Sequence, residues 1–235
     1  MPQARAVFAY VMAVALSLTA SFAQSTKGEG APTGGKSPVF IRAVKFDQLK
    51  IGNQPNPWNR MMVELQANFN PDTKEPKEGK KAANKQWVDK IKVTVTEIYK
   101  GQNAKDATEF NYYRATATVM TMEINQPRSV SFYLPGDIVK RDRLRKEPDY
   151  YFVQLEVGGT EQPIYDEKGK VITDQVLAVH KQILDKKLFD GAKDSADRGV
   201  GSNPGILRPQ YLLLYPMEAS VPPSPEFIRE DAGSR

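Results

Sequence analysis

Apolar and polar residues alternate with period two over much of the chain. The cleanest run is Met61, Val63, Leu65, Ala67 and Phe69, interleaved with Met62, Glu64, Gln66 and Asn68. Val130, Phe132 and Leu134 alternate with Ser129, Ser131 and Tyr133, and Tyr151, Val153, Leu155 and Val157 alternate again as far as Gly158-Gly159. Period two predicts strands with one face toward a core. Between the last two runs, Pro135-Gly136 stops the first strand, because proline lacks the ladder donor and glycine permits a sharp turn. Ile138, Val139 and Leu144 are then spaced for about two helical turns, and Pro148-Asp149 ends that segment.

Three further strands follow from the same reasoning. Val39, Ile41 and Ala43 face one way and Val44 and Phe46 continue after a change of face, which predicts a bulge in a first, edge-type strand. Trp87 opens a strand with Val88, Ile91, Val93 and Val95 inward and Lys92, Thr94 and Thr96 outward, and the tryptophan is a candidate filler of the core centre. Phe110 to Ile124 is a long strand with Tyr113, Ala115, Ala117 and Val119 on one face. The other face carries Tyr112, Met120, Met122 and Ile124, which fits burial under a loop or a patch for a partner.

Strand, helical crossover, Asp-Tyr and strand is the order found at the E–F corner of an immunoglobulin-like sandwich. The expected fold class is therefore all-β: an immunoglobulin-like antiparallel β-sandwich with a short helical crossover and a decorated C-terminal loop region. Tyr150 and Tyr151 are the candidates for a corner tyrosine bonded to upstream backbone. Beyond Gly159 the order loosens. Asp166 to Gly169 reads as a hairpin turn, Val171 to Leu184 as a strand or short helix, and Asp185 to Pro209 as polar loop with one helical turn near Lys187 to Ala192. Tyr211 to Tyr215 reads as a buried closing strand.

The predicted organisation is a signal peptide at residues 1–23, a flexible linker at 24–37, the sandwich at 38–215 and a proline-rich tail at 216–235. Arg5 precedes an apolar run from Ala6 to Ala20, too short for the roughly 20 residues of a membrane span, and Ser21-Phe22-Ala23 suits cleavage before Gln24. Gln24 to Ser37 is glycine-rich and polar, as flexible tethers are. A lysine-rich loop to Lys85 reads as a solvated connection. The chain contains no cysteine, so neither disulfides nor thiolate metal sites are expected. Its formal charge of +5 falls to +4 once Arg5 is removed, a weak excess spread along the chain.

Catalytic chemistry finds little to work with. His180 is the only histidine, and no serine sits in a G-x-S-x-G setting. Asp185, Asp190, Asp194 and Asp197 miss the spacing of a calcium loop and are interrupted by lysines. Glu64, Glu97, Glu123 and Glu156 lie in strands, most of them on outward faces. The basic run Lys140, Arg141, Arg143, Arg145 and Lys146 is broken by Asp142 and reads as a solvated crossover, with capture of sulfated or sialylated glycan as the alternative. No catalytic, cofactor or metal residue is expected, and neither is a nucleic-acid partner.

The segments SFYLPGD and PDYYFVQLEVGG, together with the cleavable leader, tether, strands and proline-rich tail, resemble the pilus-associated, immunoglobulin-like surface proteins of Akkermansia and related mucus-dwelling bacteria. The chain lacks the long N-terminal helix of type IV pilins, so polymerisation through such a helix is not expected. The resemblance implies a non-enzymatic structural or interaction protein, exported to the periplasm or outer surface of a Gram-negative bacterium, with envelope or pilus-assembly proteins as partners. Host or surface glycans are further candidates. The alternative is a periplasmic glycan- or peptide-binding module that stacks Trp58, Trp87 or tyrosines on its ligand. For partner docking, Val39 and Ile41 mark the first strand as a receiving edge, and Val221, Phe227 and Ile228 give the tail something to bury.

Overall fold

The computed structural model describes residues 37–51, 53–73, 84–101, 109–213 and 224–228. The expected signal peptide, most of the linker, most of the lysine-rich loop and Val221 lie outside the described residues. Among the described residues nine strands form two antiparallel sheets: β1 (Val39–Leu49), β2 (Trp58–Ala67), β3 (Trp87–Lys100), β4 (Phe110–Glu123), β5 (Arg128–Leu134), β6 (Tyr150–Val157), β7 (Thr160–Glu161), β8 (Arg208–Pro209) and β9 (Phe227–Ile228). One sheet has the order β1-β2-β5-β8 and the other β7-β6-β3-β4-β9. In immunoglobulin lettering this places A, B and E opposite G, F, C and C′, with β8 at the D position. The fold is an all-β sandwich with a short helical crossover, α1 (Gly136–Arg141), between β5 and β6.

The core is built from the alternating residues. Met61, Val63, Leu65 and Ala67 of β2 and Val130, Phe132 and Leu134 of β5 meet Ile91, Val93 and Val95 of β3 and Val153, Leu155 and Val157 of β6. Ordinary alternation explains this, since a one-residue slip would turn each set outward. The bulge in β1 lies one residue earlier than expected. Ile41 pairs with Leu65 and Ala43 with Glu64, so Arg42 is the extra residue.

Several expectations change. Trp87 is only half-buried and pairs with Glu123 at the strand end, away from the centre of the sandwich. Lys90 (φ 53°) interrupts the alternation after it, so Val88 and Ile91 both turn inward. Among the described residues no hydroxyl bond joins Tyr150 or Tyr151 to upstream backbone, so neither closes a tyrosine corner there. Their rings pack edge-on against His180, at centroid distances of 5.9 and 5.5 Å. Val171 to Leu184 forms two short 3-10 turns, Thr173–Ala178 and Lys181–Ile183. Tyr211 to Leu213 is no closing strand: Gln210–Leu212 is a 3-10 turn with Leu212 exposed, and Arg208–Pro209 makes the sheet contact instead.

The polar C-terminal stretch holds a full helix, α2 (Lys186–Gly199). The Asp185 side chain caps it by accepting from the Lys187 and Leu188 amides. Lys186–Asp190 and Lys193–Asp197 are ion pairs one turn apart. Phe189 and Ala196 are its buried residues. The helix covers the outer face of the second sheet, where the Phe189 and Phe152 rings meet edge-on at 5.4 Å.

Candidate functional site

Two features of the sandwich combine unusual burial with unusual exposure of bonding groups. The first is the outer edge of β4. There Phe227 and Ile228 add as a short antiparallel strand opposite Val119 and Thr118, and the Met120 amide donates to the Glu226 carbonyl at 2.7 Å. Phe227 packs against Tyr211 at 5.4 Å between centroids. Met120 beside them is 48% exposed. An extended segment supplies main-chain bonds to an open sheet edge and lodges alternate side chains against it, which is how β9 is held.

This places the expected docking residues differently from the first-strand edge. Val39 and Ile41 are buried in the core, so their side chains face the opposite sheet. The start of β1 is also covered. The Gln175 side chain donates to the Val39 carbonyl, and Asp174 accepts from the Ser37 amide at 2.9 Å. Phe227 and Ile228 sit half-buried on the other sheet altogether.

The second feature is a carboxyl inside the sandwich. Glu97 follows Val95 by two positions on β3 and so points inward, where it is 2% exposed. Its cross-strand neighbours are Tyr113 of β4 and Tyr151 of β6. The Tyr99 hydroxyl donates to Glu97 Oε2 at 2.8 Å. Burial raises the Glu97 pKa to about 7, against the opposing effect of that hydrogen bond. The signal was present in the period of β3, which carries Ile91, Val93 and Val95 to the inside and Glu97 with them.

The E–F connection, residues 135–149, closes over this polar end. The Tyr113 hydroxyl donates to Asp142 Oδ2 at 2.6 Å, and its ring meets Tyr99 edge-on at 5.9 Å. Arg141 grips Asp142 through two 2.7 Å bonds, and these hold the Asp142 carboxyl below its ordinary range. Asp149 is gripped by Arg145 and accepts from the Lys100 amide at 2.8 Å. Asn59 of β2 donates to the Arg145 carbonyl at 2.6 Å. Val139 and Leu144 lie in the core beneath.

The remaining candidates are accounted for by ordinary contacts. Glu64 pairs outward with Arg42 and Lys45, and Glu156 with Lys92. Asp185 caps α2, while Asp190 and Asp197 hold lysines. Among the described residues no group of three or more His, Cys, Asp or Glu is arranged to hold a metal ion. His180 is kept below its usual pKa by burial and by Lys181, and it packs against tyrosines, with no serine partner among the described residues. Trp58 is buried, and the half-buried rings Phe110, Tyr112 and Tyr150 are mutually tilted by 46° and 50°, so they offer no flat stacking platform. A shallow depression of about 150 Å³ between Lys92, Gln154 and Glu161 is smaller than ordinary ligand pockets.

No protein-family model matches the chain. No curated protein matches either. A solved structure from Akkermansia muciniphila is similar over 52% of this chain and 65% of its own, with 15% identity and a TM-score of 0.41. The aligned region thus spans just under two thirds of that chain, and a likeness at this TM-score does not by itself define a shared fold. No helix among the described residues is long and apolar enough to cross a membrane.

Proposed function

We propose that this chain is an exported, non-enzymatic interaction protein of the bacterial cell envelope, an accessory component of a pilus-like or adhesive assembly, and that it meets its partners by strand addition. The observation that carries this reading is the β4 edge: it already takes up an extended apolar segment, Phe227–Ile228, through backbone pairing. β9 is only two residues long, whereas β4 has 14. A partner that presents a longer extended segment with apolar residues at alternate positions competes for the same edge, with backbone bonds supplying affinity and the side chains specificity. The amino-terminal leader supports export.

The test is a photoreactive residue introduced at Met120 in the host, followed by irradiation and analysis of covalent adducts. The expected result is an adduct with a second envelope polypeptide, stronger when Phe227 and Ile228 are both changed to aspartate and β9 is displaced. Adducts confined to this chain's own tail in both forms would remove the β4 edge from partner binding. Amino-terminal sequencing of the host protein checks export independently, with Gln24 as the expected first residue.

A further inference from the structure

A carboxyl in the middle of a β-sandwich costs stability unless something offsets its desolvation. Among the described residues Glu97 has one hydroxyl bond and no cation bonded to it. The groups around it are Tyr99 on its own strand, Tyr113 on β4, Tyr151 on β6, and Asn59 of β2 beside Tyr99. Beyond Tyr151 stand Phe46 of β1 and His180. Of the cations of the E–F connection, Arg141 is paired with Asp142 and Arg145 with Asp149, while Lys140 and Arg143 are exposed at the surface. Lys146 is paired with Glu147 at the surface. A negative charge at Glu97 therefore calls on water, and the path considered for it runs through the cover bonded to its cross-strand neighbour Tyr113.

That cover is the E–F connection. Val139 and Leu144 anchor it in the core, and its polar contacts with the sandwich include Tyr113 to Asp142, the Lys100 amide to Asp149, the Asp149 amide to the Ile98 carbonyl at 2.9 Å, Asn59 to the Arg145 carbonyl, and Asn56 to Asp137. One of these, Tyr113, is the direct cross-strand neighbour of Glu97. We propose that Glu97 is a proton-operated latch on the E–F connection. Protonated, the carboxyl lets residues 136–149 seal the polar end of the sandwich. Ionised, it draws water toward the Tyr99–Tyr113 pair and frees the connection, while the two sheets stay paired. A surface element of this exported fold thereby changes state across the neutral range, and raised burial cost at Glu97 sets the direction: closed on the acidic side, open on the basic side.

The experiment is amide hydrogen exchange on the full chain at pH 6.0 and 8.5, corrected for the intrinsic rate. The amides followed are Val139, Asp142 and Leu144, which donate within the connection to Pro135, Ile138 and Val139 carbonyls. Their protection should fall on the order of tenfold or more at the higher pH, while amides of the β2–β5 ladder lose markedly less. Glu97→Gln should abolish the difference between the two pH values. An equal loss in wild type and E97Q, or no loss in wild type, would overturn the latch. Should E97Q not fold, carbon-13 titration of the Glu97 carboxyl in the wild-type chain decides: a midpoint near neutrality that coincides with the loss of protection supports it, and a midpoint in the ordinary carboxylate range overturns it.

Discussion

Tyr113 and Asp142 join two parts of the fold that are far apart along the chain. The hydroxyl of the β4 tyrosine donates to the carboxylate just beyond α1 at 2.6 Å, and the ring is wholly buried in the core. A bond to an ionised acceptor is stronger than one between neutral groups. Tyr113→Phe keeps the ring and deletes the bond, so it should cost about 1–2 kcal/mol. Chemical denaturation measures this, and a double-mutant cycle with Asp142→Asn should show that the loss belongs to the pair. Equal stability of Y113F and wild type would show that the bond contributes nothing to the closure.

Glu97 should make stability depend on pH. In the unfolded chain its proton leaves near the ordinary value of 4.5, whereas in the fold it is retained to about 7. Between those limits the native state binds more protons, so stability declines as pH rises and the loss is complete above the folded value. E97Q removes the titration. It should exceed wild type by about 3 kcal/mol at pH 8.5 and match it closely near pH 4. Denaturant midpoints across pH 4–9 check this, and parallel curves for the two proteins would contradict the buried ionisation.

Val153 has no exposed surface and lies beside Val95, facing the opposing sheet. Val153→Asp places an unpaired charge among inward residues, a cost of more than about 4 kcal/mol. No cooperative thermal transition should survive. A melt within a few degrees of wild type would exclude β6 from the core.

Gly136 opens α1 directly against the backbone of Asn56. A Cβ there would stand 2.3 Å from the Asn56 carbonyl oxygen, and backbone cannot rotate away as a long side chain can. Gly136→Ala should therefore destabilise by roughly 1–3 kcal/mol through overpacking. The same substitution at Gly191, with nothing within 4 Å, should have no such cost. Paired denaturation curves for the two variants distinguish a steric effect from a general one.

The strands of the sandwich were legible in the sequence because period two is local. Each inward set, such as Met61, Val63 and Leu65 or Val153, Leu155 and Val157, is decided within a few residues, and Pro135-Gly136 punctuates the crossover by backbone chemistry alone. The helix α2 was legible only in part. Its stripe of Phe189, Ala192 and Ala196 is thin, and its aspartates serve as cap and ion-pair partners, roles that depend on helical spacing already being present.

What only the tertiary structure decided is which strands stand side by side. Glu97 lies between Tyr113 and Tyr151 because β3 runs between β4 and β6, a register set by contacts distant in sequence. Bonding the crossover through Tyr113, and leaving Tyr150 and Tyr151 on His180, depends on that same order. The tail likewise carries apolar Phe227 and Ile228 in its sequence, but their place on β4 follows from which sheet edge remains open after the other strands have paired. Alternation is a property of neighbours along the chain, so the sequence by itself determined the strands and their inward faces. Lateral order is a property of the closed core, so the neighbours of each strand, and with them the buried carboxyl and the occupied edge, came from the tertiary structure.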